Sequence, residues 1–232
     1  MKRIVKEHDE RKTEIIEAAQ QLFYKHGYDK TSIAMVIDAV GIAKGTFYHY
    51  FASKSDLLDA IVQQQAIRID EIIDRVIVEP EENALVELNN IFQSIGLYKV
   101  ENRSIMMMML RAMYNEANLV LRVKLLESRI GIVSRKIAGV IERGIREGIF
   151  KTGNPLHMAH VIMNMSTYLI DDLGVRAAEN RLNADYYEAF QGRCESYEFA
   201  VKRILGIENG TVIIFNRKML KSFFEYNEET HE

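Results

Sequence analysis

The chain has no tryptophan, one cysteine and two prolines among 232 residues. The single thiol, Cys194, cannot close an internal disulfide, and no charged-then-apolar leader with a small-residue cleavage site opens the sequence; a reducing cytoplasm is the expected compartment. Only Pro80 and Pro155 remove backbone donors, and thirteen glycines leave few tight turns. Long helices can therefore run unbroken, whereas a sheet built on frequent hairpins is disfavoured. A long apolar run is also missing. The longest stretch without a formal charge, 152–170, carries Asn154, His157, His160, Asn164, Ser166 and Thr167, too polar for a lipid-facing helix, so no membrane association is expected. What remains is 48% hydrophobic and 27% charged, the composition of a globular all-α chain.

A net charge of -3 gives no overall sign of a nucleic-acid binder. The average hides an asymmetry: residues 1–54 hold nine Lys/Arg against seven Asp/Glu, a net of +2, which leaves -5 for the rest. Helical spacing first appears at Ile15, Ala19, Leu22 and Phe23 and stops at Gly27, predicting a helix over 13–26. Thr31 and Ser32 offer N-caps for a two-turn helix with Ile33, Val36, Ile37 and Val40 as apolar positions, ended by Gly41. A third short helix over 44–51 carries Phe47, Tyr48, His49, Tyr50 and Phe51. Two short helices across a glycine-containing turn make a helix-turn-helix candidate. Downstream, helices are predicted over 54–78, 82–99, 103–114, 119–146, 156–178, 184–205 and 216–226. The β-branched run 211–215 serves as entry to the last of these. Seams at three-and-four spacing, such as Val133, Ile137, Val140 and Ile141, or Phe190, Cys194, Tyr197 and Val201, require helical partners.

In a major-groove reading the second short helix enters the groove while surrounding donors hold phosphates. Lys44, Thr46, Tyr48 and His49 are polar where a core helix needs aliphatics, Phe47 and Phe51 anchor the opposite face, and Gly45 admits close backbone approach. Thr31, Ser32 and Lys54 flank the motif at helix starts, where hydroxyl, amide and ammonium groups can hold phosphate oxygens. The candidate DNA-contacting set is thus Thr31, Ser32, Lys44, Gly45, Thr46, Tyr48, His49 and Lys54.

These residues closely resemble the TetR family of bacterial one-component transcription regulators. The resemblance rests on Ala18-Ala19, Leu22-Phe23 and Gly27-Tyr28, on Thr31-Ser32-Ile33, on the run from Gly41 through Phe51, and on Lys54-Ser55-Asp56-Leu57-Leu58. It implies an all-α fold: an N-terminal three-helix helix-turn-helix domain over 1–53 and a larger helical effector-binding and dimerisation domain over 54–232. It further implies a homodimer that binds a double-stranded DNA operator, near-palindromic, and releases it when a small-molecule effector binds. Helices 156–178 and 184–205 are the expected dimer contacts. Ile37 and Val40 depart from the small residues that the family usually places where helix 2 packs on helix 3, so extra volume must be absorbed there.

Eight of the eleven methionines fall between 106 and 165, including Met106 through Met109 and Met113. Such flexible side chains fill irregular cores or line adaptable apolar pockets, and Met109, Met113 and Tyr168 are the pocket candidates, for an apolar effector. His157 and His160 sit three apart without a third ligand, which points to ordinary packed histidines and no metal. No Gly-x-Ser-x-Gly elbow or phosphate-cradling loop is present, and Cys194 lies in a helical seam, so neither enzymatic chemistry nor a cofactor is expected. The alternative is a helical small-molecule-binding or enzymatic protein whose head is vestigial.

Overall fold

The computed structural model describes residues 2–77, 83–179 and 181–224. Ten α-helices account for most of them: α1 (Lys2–His26), α2 (Ile33–Val40), α3 (Lys44–Tyr50), α4 (Lys54–Ile77), α5 (Ala84–Glu101), α6 (Arg103–Met113), α7 (Leu119–Arg146), α8 (Pro155–Ala178), α9 (Ala184–Ile204) and α10 (Arg217–Phe224). A 3-10 turn, Glu116–Asn118, joins α6 to α7, and no strand occurs among the described residues. No helix among them is long and apolar enough to cross a membrane. Pro80, the end of the helix predicted over 54–78 and the tail 225–232 lie outside the described residues.

Helix ends follow local chemistry. Ser32, Asn83, Asn154 and Asn183 each accept a bond from an amide of the following first turn, and Pro155 occupies a first-turn position where its missing N–H costs nothing. Gly41 ends α2 at φ 71°, its N–H and that of Ile42 both donating to the Ile37 carbonyl at 2.9 and 3.2 Å. Helix α1 begins eleven residues before the predicted start at 13, because 2–12 is a proline-free and glycine-free charged run that propagates a helix without giving an amphipathic signal. The run 211–215 forms no strand. Asn89 brackets it, donating to the Thr211 carbonyl and accepting from the Ile213 N–H, while Glu198 accepts from the amides of Ile214 and Phe215.

Two buried clusters organise the molecule. The larger joins α5, α7, α8, α9 and the 205–214 segment through Leu88, Ile91, Val133, Ile137, Ile141, Phe150, Ile162, Phe190, Tyr197 and Val201. The smaller holds Ile15, Ala19 and Phe23 of α1, Val36 of α2, Phe47 of α3, and Phe51. It continues into α4 through Leu57, Leu58, Ile61 and Val62 and takes in Leu121 of α7. Cohesion of the head thus extends past residue 53, and the first two turns of α4 are as much a part of its core as of the linker. The bulk of Ile37 and Val40 is absorbed at the rim, where both are half-buried against this cluster.

Candidate nucleic-acid interface

Phe47 is wholly buried and Phe51 nearly so, their rings 5.8 Å apart, and they fix the rotation of α3. A helix so anchored presents the opposite face outward. Lys44, Gly45, Tyr48 and His49 are all exposed there, Tyr48 by 47%, while Thr46 is half-buried. Lys44 Nζ lies 5.9 Å from the Tyr48 ring centroid, an ammonium over an aromatic face at the rim of the helix. No atom stands within 4 Å of the point a Cβ on Gly45 would occupy, so its surface is open to an incoming backbone.

The flanks divide differently from the expectation. Ser32 is exposed and caps α2, its Oγ accepting from Met35 N at 3.2 Å. Thr31 is corrected: only 1% exposed, it donates its hydroxyl to the Gly27 carbonyl at 2.8 Å and stitches the 27–31 turn to α1. A side chain so placed cannot reach a phosphate. Lys54 is half-buried, its Nζ donating to the carbonyls of Tyr28 and Thr31 at 2.8 and 3.1 Å and lying 4.3 Å from the Tyr28 ring centroid. It is a positioning residue that ties α4 to the turn before α2, as well as a positive charge at a helix start. Ser53 and Asp56 complete that start: Ser53 Oγ accepts from Asp56 N, and Asp56 accepts from Ala52 N.

Behind the head, Asn118 carries a role that sequence reasoning missed. Buried to 1% exposure, it accepts from Tyr28 N at 2.5 Å and donates to the carbonyls of Phe23 and Ala112, both at 3.0 Å. One amide thereby joins the end of α1 to the α6–α7 turn. Gly27, at φ 90°, meets Ala117 so closely that an added Cβ would come within 2.6 Å of the Ala117 side chain. Asp29 N donates to the Ala117 carbonyl at the same turn, and Lys124 of α7 pairs with Asp59 of α4.

The pocket expectation also changes. Tyr168 is 65% exposed and lines no interior space, since its phase on α8 points away from the core that Leu169 and Met163 enter. Met113 is packed into the core and Met109 is half-buried. The cleft next to the methionine run, about 360 Å³, is instead lined by Met107, Met108, Tyr24, Arg103, Arg111 and Asn115, on the other side of α6. Burial pushes the Cys194 thiol up to about 12, which makes it a packed and unreactive group. No group of three or more metal-ligating side chains occurs among the described residues.

An exposed polar face on the second of two short helices, set on a body of long helices, defines the helix-turn-helix regulator class. The family model for bacterial regulatory proteins of the tetR family matches residues 15–61, and that for the tetracyclin repressor-like C-terminal domain matches 84–184. The chain belongs to the TetR family of bacterial transcriptional regulators. It is 32% identical over 78 residues to the HTH-type transcriptional repressor AcnR of Corynebacterium diphtheriae, a match that covers 34% of this chain and 37% of that repressor. The HTH-type transcriptional regulator YfiR of Bacillus subtilis is 25% identical over 212 residues, 88% of this chain and 96% of that one. A TetR-family structure from Mesorhizobium loti superposes with a TM-score of 0.61 at 20% identity, over 84% of this chain and 96% of that one, which is a likeness of fold.

Proposed function

We propose that the chain is a transcriptional repressor that reads a near-palindromic operator as a homodimer and is released from it by a small-molecule effector, within the cytoplasm. The observation that carries this reading is the exposed Lys44, Gly45, Tyr48 and His49 face of α3, locked in rotation by buried Phe47 and Phe51. In the groove, Thr46 and His49 face base edges, while Lys44, Tyr48, Ser32 and the adjoining helix start hold phosphates. Residues 1–53, completed by the first turns of α4, act as the DNA-binding unit, and the remainder binds effector and partner. One head offers too little contact for high specificity, so two heads separated by about 34–36 Å, one turn of DNA, are required. The dimer reading draws support from large apolar side chains left exposed on α8 and α9: Leu156, Val161, Tyr168, Val175 and Phe199. Effector binding acts on α6 and α7 and reaches the head through the Asn118 turn, by preferring a body conformation whose heads no longer match the groove.

A mobility shift on the DNA upstream of the chain's own gene, repeated at rising salt, tests the reading. Affinity is expected to fall steeply with salt, as phosphate neutralisation requires. Salt-insensitive binding, or none, favours a helical binding protein with a vestigial head.

A further inference from the structure

The cleft beside the methionine run lies between α1 of the head and α6 of the body, helices that pack on each other. At about 360 Å³ it falls at the small end of the range for ligand sites, roughly 300–1,000 Å³. Its α6 wall is a stripe at four-residue spacing, Arg103, Met107 and Arg111, continued by Asn115 beyond the helix end. Met107 is buried, Met108 is half-buried beside it, and Tyr24 of α1 forms the other wall. Two arginines and no carboxylate line the space, so the cleft carries a surplus of positive charge.

The polar groups of the cleft are engaged to different degrees. Arg103 is fixed from behind: its Nε donates to the Phe223 carbonyl of α10 at 2.5 Å, and its guanidinium carbon lies 5.7 Å from the Phe223 ring centroid. It meets the cleft as a planar cation held in place, a group on which aromatic rings pack. Arg111, in the last turn of α6, is exposed and makes no hydrogen bond or ion pair among the described residues. Tyr24 Oη accepts from Gln20 Nε2 at 2.7 Å, and no acceptor for its own proton occurs among the described residues. Burial pushes that hydroxyl up to about 12, so it remains a neutral donor.

We propose that this cleft is an effector site for a small aromatic carboxylate, held through its carboxylate by Arg111 and the Tyr24 hydroxyl, with its ring along Met107 and Met108 toward Arg103. Guanidinium and carboxylate match as a two-bond fork, and thioether sulfurs pack favourably on ring edges. The site rests on the effector-release reading above and replaces the purely apolar effector expected from the methionines. Its position gives it a direct hold on the head. Phe23, next to Tyr24, and Ala112, in the cleft wall, both give their carbonyls to Asn118. Asn115 accepts from the N–H of Ala117, the residue against which Gly27 packs. A ligand lodged between Tyr24 and α6 therefore acts on the joint itself and needs no path through the body core.

Titration calorimetry of the full chain without DNA tests the site, with benzoate, phenylacetate and 2-naphthoate compared with their amides and with cyclohexanecarboxylate. At least one aromatic acid is expected to bind saturably, about tenfold or more tighter than its amide and than cyclohexanecarboxylate, since a charge-assisted fork or a ring contact is lost in each comparison. Arg111→Gln, at an exposed position, weakens that acid by a similar factor and leaves its amide nearly unchanged. The comparison of ligands on the unaltered chain needs no variant to fold. Absence of saturable binding by all three aromatic acids, amides or cyclohexanecarboxylate that bind as tightly, or unchanged affinity in Arg111→Gln overturns the proposal. A mobility shift with the bound acid separates the site from the reading it rests on. Binding without release of DNA removes the effector role and leaves the site, whereas release that Arg111→Gln abolishes supports both.

Discussion

Tyr48, Lys44 and His49 are exposed on α3 and Thr46 is half-buried beside them, and under the proposed reading they face different parts of a duplex. Tyr48→Ala and Lys44→Ala are expected to weaken binding by about 1–3 kcal/mol on cognate and random DNA alike, since phosphate contacts carry no sequence information. Changes at Thr46 or His49 should alter base preference; equal losses on both DNAs for all four, measured by mobility shift, would remove α3 as the reading helix. Lys54→Ala belongs to another category. Its three carbonyl partners make it part of the fold, so its thermal midpoint should fall together with its DNA affinity. Lys99 supplies a pH signature. Its folded pKa, about 8, lies below the ordinary 10.5, so between those values the unfolded chain binds more protons and stability from this group rises with pH. Cys194, raised to about 12, acts in the opposite sense above its ordinary 9.0, but it is common to parent and variant. The parent should therefore gain stability relative to Lys99→Met as pH climbs from 7 toward 9.5; a difference in urea midpoints that stays constant over that range would contradict the downward shift of Lys99.

At the scale of elements, the α6–α7 turn is where head and body meet. Asn118→Ala strands the Tyr28 N–H and frees two carbonyls, a loss of about 1–3 kcal/mol from unsatisfied buried groups. Urea denaturation should show it, and hydrogen exchange should rise at 23–31 ahead of the body; uniform exchange would mean that the turn is not the coupling element. Most helix boundaries were legible, because caps, glycine stops and three-and-four spacing are local signals: Ser32 and Gly41 act where the chain predicts, and α8 and α9 begin within one residue of the predicted starts. Rotation of the helices was legible where an aromatic anchor fixes it, as at Phe47. It was not legible for Tyr168, whose neighbours on α8 are mixed in polarity and give a weak phase. Val161→Glu combined with Phe199→Glu should convert a dimer to a monomer in light scattering at micromolar concentration, through desolvation of charges within an apolar contact. A parent chain that is itself monomeric at that concentration would remove the α8 and α9 dimer reading.

For the whole molecule, a mildly basic head of net +2 sits on a body of net -5, so DNA attracts one end and the rest keeps its distance. The two are separate in composition and continuous in structure, since Leu121 of α7 is buried in the head core and α4 runs from one cluster toward the other. By itself, the sequence determined the all-helical class and most helix ends, because each depends on interactions within a few residues along the chain. Tertiary structure alone decided that Thr31 turns inward and that Asn118 bridges segments 90 and 95 residues apart. Those outcomes depend on which helix faces are brought together and which polar atoms are left over, and spacing along the chain carries no record of either.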